Sequence, residues 1–408
     1  MKKQILISVM LSLTLAACGG GGGGGASSTA PTPPSTAVTP PPVISKVDTT
    51  KFTLCQNSTC NTDLVSKFNV DQFFFSAAQI HDETILPMAG NDNYPLWRNA
   101  ASIQQVRNRY TGQVYVDGVD YTIVAGALQI TTASNIPKIL NDFIHPAQTT
   151  TPYYWSPFVS DGSILHIGGD YQGRQIAVTY TPSLVTFQPL VKGTTSKLKA
   201  KLDSGQQVAI TYIGDSITVG LDTSSDAGAG PKQPSYPFLA SAYLAKKYPN
   251  QVYIRNLAVS GTTTADGVTN EATLVGDTFV DAIVINYGTN DAFTKISTAA
   301  YQANLTSIVN AAKAKNPDVE IVLLVPFAAN PDWKGVSPNS QQFKDFAAVC
   351  NTLADTTPNV SVSNMLEVGF DMMQHKAYYD VTANGITHPN DFIHVMYAQV
   401  LLKTFLNL

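Results

Sequence analysis

Residues 208–220 read VAITYIGDSITVG: a short, almost continuously apolar run that breaks at Gly-Asp-Ser and resumes as a helical start. An unbroken run, in place of strict alternation, predicts a strand buried on both faces, and so a parallel sheet with helices packed on each side. The texture recurs downstream. The runs 252–257 (VYIRNL), 281–286 (DAIVIN), 320–325 (EIVLLV) and 360–363 (VSVS) alternate with helical patterns over 236–248, 298–315, 340–355 and 390–406. Parallel sheets of this kind place ligand sites beyond the carboxyl ends of their strands. The loops after the first three strands are therefore where chemistry is expected.

Each of those loops carries a suitable group. The first places Ser216 in the turn into a helix, where its hydroxyl can be exposed and its backbone N–H lacks an intrahelical partner. Read alone, Asp215 or Ser216 would be a helix cap. The second loop, NLAVSGTTT, offers the N–H of Gly261 with no side chain in the way. The third, INYGTNDA, supplies a turn glycine, Gly288, and the amide donor of Asn290. Acyl transfer needs a nucleophile, donors aimed at the developing oxyanion and a base, and the C-terminal segment adds histidine.

The blocks GDSITVG, NLAVSGTTT, YGTNDA and HPND, in this order, resemble the Ser, Gly, Asn and His blocks of the SGNH (GDSL) hydrolase superfamily over about residues 204–408. The resemblance implies a three-layer α/β/α sandwich and ester hydrolysis through an acyl-enzyme, without metal or organic cofactor. It implies Ser216 as nucleophile, and an oxyanion hole formed by the N–H groups of Ser216 and Gly261 and the side chain of Asn290. No Gly-x-Ser-x-Gly elbow surrounds Ser216, which argues against the unrelated α/β-hydrolase fold.

The last block departs from the family pattern. In GITHPNDFIHVMYAQ (385–399) the position three before His388, where members commonly carry an aspartate, is Gly385. One solution makes His388 the base, with Asp391, Asp380 or no acid behind it. The other takes Asp391 and His394 as a literal Asp-x-x-His pair. Pro389 suits a first helical position, which leaves His388 in the loop and His394 more than a turn inside the helix. The same spacing also occurs in NDFIH (141–145), where no other catalytic feature surrounds it. His388 is therefore preferred, and Asp391 has an alternative role as a charge at a helix N-terminus. An imidazole base, with an ordinary pKa of about 6.5, predicts activity that falls in acid.

The rest of the chain sets the context. Lys2, Lys3, an apolar stretch over 5–17 and LAAC ending at Cys18 resemble a bacterial lipoprotein signal, with Cys18 lipidated. Residues 19–47, rich in Gly, then Ser, Thr and Pro, read as a tether. This predicts a cell-envelope protein, at the outer membrane and held there by its lipid alone. Residues 48–198 read as a β-sandwich-like accessory domain, with hairpin turns at Asp117-Gly118 and at Gly168-Gly169-Asp170, and with Tyr153, Tyr154 and Trp155 as core or as a sugar platform. Cys55 and Cys60 are positioned to pair in an oxidising compartment, while Cys350 fits a helical core. A net charge of −4 with no basic run excludes nucleic acid as a partner. The expected substrate is an ester, foremost O-acetyl groups on a polysaccharide. A lipase or general carboxylesterase is the alternative, and a non-catalytic surface adhesin the reading from another class.

Overall fold

The computed structural model describes residues 47–408 except 58–59, 147–154, 157–164, 184–186, 276–278 and 334–339. Cys18, the tether, Tyr153 and Tyr154 lie outside the described residues. Among the described residues the main sheet has seven strands: β1 (Thr53–Leu54), β2 (Val191–Lys192), β3 (Val208–Gly214), β4 (Val252–Asn256), β5 (Ala282–Asn286), β6 (Glu320–Val325) and β7 (Val360–Asn364). They lie in the order β1-β4-β3-β5-β6-β7-β2. The inner five are parallel, and the two short edge strands run antiparallel to their neighbours, so the sheet is mixed.

Every residue of β3, β5, β6 and β7 is buried, the alternating serines of β7 included. Successive side chains serve opposite faces. Val208, Ile210 and Tyr212 of β3 join one core with helices α1 (Tyr236–Lys247) and α4 (Asp391–Leu406). Ala209 and Ile213 join a second core with α2 (Thr298–Lys315) and α3 (Ser340–Thr356). Two helical layers thus sandwich the sheet. Polar residues inside it are satisfied locally, as where Arg255 Nε donates to Thr211 Oγ1 at 2.9 Å.

The segment before residue 204 is β-rich. Ile80–Ile85, Ile176–Pro182, Ala100–Asn108 and Val114–Tyr115 form a four-stranded antiparallel sheet, in that order. Asn93–Tyr94, Ala127–Ile130 and Tyr121–Val124 form a smaller one. The turns fall elsewhere than expected. The hairpin closes at Ala125-Gly126, where φ is +50° and +82°, between the paired residues Val124 and Ala127. Positive φ at both central positions gives the twist a two-residue hairpin needs. Asp117-Gly118 instead opens a loop whose Asp120 carboxylate accepts the Val116 and Asn135 N–H groups. Leu165–His166 and Ile176–Pro182 do not pair across Gly168-Gly169-Asp170, because a helical turn, Tyr171–Arg174, intervenes and each strand has other partners.

Among the described residues, this region shares its apolar clusters with the rest of the chain. Ile80, Trp97, Val106, Tyr115 and Tyr180 belong to the same apolar cluster as β3 and α4, and residues 45–408 form one compact unit. The strands β1 and β2, both from this region, cap the two edges of the main sheet, where unpaired backbone would otherwise be exposed. Cys55 and Cys60 form a disulfide just after β1.

A buried charge cluster fastens the two parts. Lys376 Nζ lies 2.8 Å from Glu83 Oε1 and 3.8 Å from Asp380 Oδ2, with its side chain fully enclosed. The Tyr180 hydroxyl donates to Glu83 Oε2 at 2.6 Å, and Leu86 N–H donates to Asp380 Oδ1 at 2.7 Å. Burial alone would depress the lysine, but the two carboxylates hold it above its usual value. Removing one partner strands the other charges in a low dielectric. Lys376→Met is therefore expected to cost about 3–5 kcal/mol, read as a lowered urea midpoint.

Candidate active site

The first loop is shaped by two glycines. A Cβ at Gly214 would stand 2.5 Å from the backbone oxygen of Asn286, so only glycine lets β3 approach β5 at this point. Asp215 then caps a single helical turn, Ser216–Val219, its Oδ1 accepting from Ile217 N–H at 3.0 Å. Burial pushes the Asp215 carboxyl up to about 7. The turn ends at Gly220, with φ +94°, where a Cβ would meet Ser235 Cβ at 2.5 Å. The chain thereby doubles back, and Asp222, at φ +63°, returns beside the serine.

His388 lies between them. Its Nε2 is 2.9 Å from Ser216 Oγ and its Nδ1 is 2.5 Å from Asp222 Oδ2. The histidine loop is locally rigid. Asn384 Oδ1 accepts from the N–H groups of Ile386, Thr387 and His388, each at 3.0 Å. The His388 carbonyl accepts from Ala383 N–H at 2.8 Å and from the Thr382 hydroxyl at 3.0 Å. Asn390 caps α4, so Pro389 stands just outside the helix and not at its first position.

The neighbouring loops are laced to the serine strand. Val259 N–H and the Thr262 hydroxyl both donate to the Gly214 carbonyl, at 3.0 and 3.3 Å. Asn290 Nδ2 donates to the Thr262 carbonyl at 3.0 Å. Gly261, at φ +82°, sits in that loop with open space where a Cβ would be. Buried Asp291 accepts Thr264 N–H at 3.0 Å and ties the second loop to the third. Ser216, Gly261 and Asn290 are thus gathered at one sheet edge. A hydroxyl facing an imidazole, with the backbone N–H of a helix's first residue beside it, is an arrangement suited to acyl transfer.

Three sequence candidates lie elsewhere. Asp391 does not reach His388. Its Oδ1 accepts Ser224 N–H at 3.0 Å and its Oδ2 is 3.7 Å from Arg109 Nε, while burial pushes its carboxyl up and Arg109 opposes that. Asp380 is committed to Leu86 and Lys376. His394 is fully buried inside α4, stacked on Tyr236, with Nδ1 3.4 Å from Tyr236 N. Cys350 is also buried, which pushes its thiol up to about 12. The acid beside the histidine, Asp222, went unread in the sequence. Its signal was Gly220, which stops the helix early enough for an acid two residues later to turn back.

Burial depresses the His394 imidazole to about 3. Between that value and its ordinary pKa near 6.5, the unfolded chain binds a proton that the folded one refuses. Stability should therefore rise with pH through this window and decline as acid is added. His394→Phe is expected to flatten that slope in urea titrations run from pH 4 to 7.

Residues 212–394 match the model of the GDSL-like Lipase/Acylhydrolase family. Among solved structures, the chain is similar to Axe2, an acetylxylan esterase from Geobacillus stearothermophilus, at 20% identity and a TM-score of 0.40, over 48% of this chain and 93% of that one. It is similar to LAE5, an alpha/beta hydrolase enzyme from the metagenome of Lake Arreo, Spain, at 18% identity and a TM-score of 0.40, over 49% and 97%. A member of the lipolytic protein G-D-S-L family from Veillonella parvula aligns at 19% identity and a TM-score of 0.39, over 49% and 99%. No curated protein matches. Residues 212–394 thus form a GDSL-like lipase/acylhydrolase domain, and the protein is a hydrolase acting on esters.

Proposed function

We propose that the chain is a serine esterase working through an acyl-enzyme on Ser216, with His388 as base and Asp222 as its orienting acid, and that its physiological ester is an O-acetyl group on a polysaccharide. The observation that carries the mechanism is the continuous relay from Ser216 Oγ to His388 Nε2, and from His388 Nδ1 to Asp222 Oδ2. The carboxylate fixes the tautomer with its proton on Nδ1, leaving Nε2 free to accept the serine proton. As Ser216 Oγ attacks the ester carbonyl, negative charge develops on the carbonyl oxygen. The N–H groups of Ser216 and Gly261 and the Asn290 amide are the donors assigned to it. His388 then returns the proton to the leaving alkoxide, and water repeats the attack with the same base.

The substrate assignment rests on different grounds. The LAAC motif ending at Cys18 and the Gly/Pro-rich tether support a lipid-anchored enzyme of the bacterial envelope, and an anchored enzyme suits an insoluble or wall-bound polymer. Small acyl groups on sugars fit that setting better than free lipids. Lipase or general carboxylesterase activity is the competing outcome.

Purified residues 48–408 should turn over p-nitrophenyl acetate, while Ser216→Ala and His388→Ala abolish turnover. Asp222→Ala should lower kcat by about 10²–10⁴-fold with little change in KM. Wild-type turnover by Ser216→Ala would end the esterase assignment. Across an acyl-length series, acetyl esters should be preferred and acetate should be released from acetylated glycans. A preference for long chains would favour a lipase instead.

A further inference from the structure

Asp222 receives contacts from the β-rich region as well as from its own loop. It adopts a left-handed backbone conformation, which aspartate tolerates better than most residues. Its N–H donates to Asp226 Oδ2 at 2.9 Å within the same loop, and its carbonyl faces the buried side-chain amide of Gln172, from the helical turn Tyr171–Arg174 of the β-rich region. Gln172 Nε2 donates to the carbonyl oxygen of Asp222 itself. Its Oε1 accepts the backbone N–H of Asp391, at 3.1 Å. Asp391 begins α4, three residues after His388. One planar amide therefore spans the two chain segments that carry the proposed acid and base, and sets their separation.

The same loop is held at two further points. Ser224 N–H donates to Asp391 Oδ1, and Gln233 Nε2 donates to the Asp391 carbonyl at 2.6 Å. Arg109, also from the β-rich region and nearly enclosed, donates from Nη2 to Gln233 Oε1 at 2.8 Å. On the other side of the acid stands Gly169, where a Cβ would come 2.7 Å from Asp222 Oδ1. Gly169 is exposed and its φ is not positive, so its lack of a side chain serves the space beside the carboxylate and not a backbone turn.

We propose that Gln172 and Gly169 are positioning residues for the Asp222 carboxylate, so that the β-rich region completes the catalytic relay. The inference rests on the reading of Asp222 as the acid. Residues 168–174 lie outside the stretch that matches the family model. The β-rich region then sets the geometry of catalysis in addition to any part it has in substrate binding.

The test measures kcat and KM on p-nitrophenyl acetate for Gln172→Ala and Gly169→Ala, each alone and in an Asp222→Ala background, with thermal melts of every variant. Each single variant is expected to lose about 10–100-fold in kcat with KM unchanged. Because the proposed effect of both runs through the same carboxylate, most of each loss should vanish once Asp222 is alanine. Wild-type kcat in either variant, or an equal loss in the Asp222→Ala background, overturns the proposal. Gly169→Ala adds one methyl at an exposed site, so it remains decisive even where Gln172→Ala fails to fold. Full activity of Asp222→Ala alone is a distinct result, which removes the acid assignment and the inference with it.

Discussion

An imidazole relays a proton best when both ring nitrogens are engaged at once, one by the donor and one by a group that fixes the tautomer. In this protein both partners of His388 come from residues 216–222. The relay therefore depends on the path of one helical turn. Gly214 lets the strand come close enough to its neighbour for the turn to begin where it does, and Gly220 ends it before a second turn would carry Asp222 away. The fully buried parallel strands behind it supply a rigid base. The rest of the site needs only to bring one histidine, on a loop stiffened by Asn384, to the space between.

Much of this was legible in the sequence. Continuous apolar runs marked β3, β5 and β6 to within a residue or two, because burial on both faces favours apolar residues along the whole strand. The long helices were equally plain. The acid was not, since its role comes from a reversal of chain direction that no spacing rule records. Asp391 drew attention by its distance from His394 along the chain, yet helix geometry sends His394 into the core and Asp391 toward Ser224. Hairpin turns in the β-rich region fall away from their sequence signals for a related reason. Asp-Gly is a good turn signal, but Ala125-Gly126 took the hairpin because pairing with the flanking strands decided the register.

The change of texture near residue 200 is real in the sequence and does not correspond to a break in packing. Antiparallel sheets with one wet face read differently from a doubly covered parallel sheet, so composition shifts where architecture shifts. The apolar faces nonetheless meet. Phe74, Trp97 and Tyr180 share a core with Tyr212 and Phe405, and Glu83 is neutralised by Lys376 from the far side of the chain.

That interweaving bears on how the chain acquires its structure. Thr53 pairs with Ile254, Val191 with Ser363, and the core beneath the β-rich sheets is completed by the final helix. Contacts so distant in sequence make for a high contact order and slow folding. The core that the β-rich region shares stays incomplete until the final helix, Asp391–Leu406, is present. An incompletely synthesised chain would leave part of that core exposed, the condition under which aggregation competes with folding.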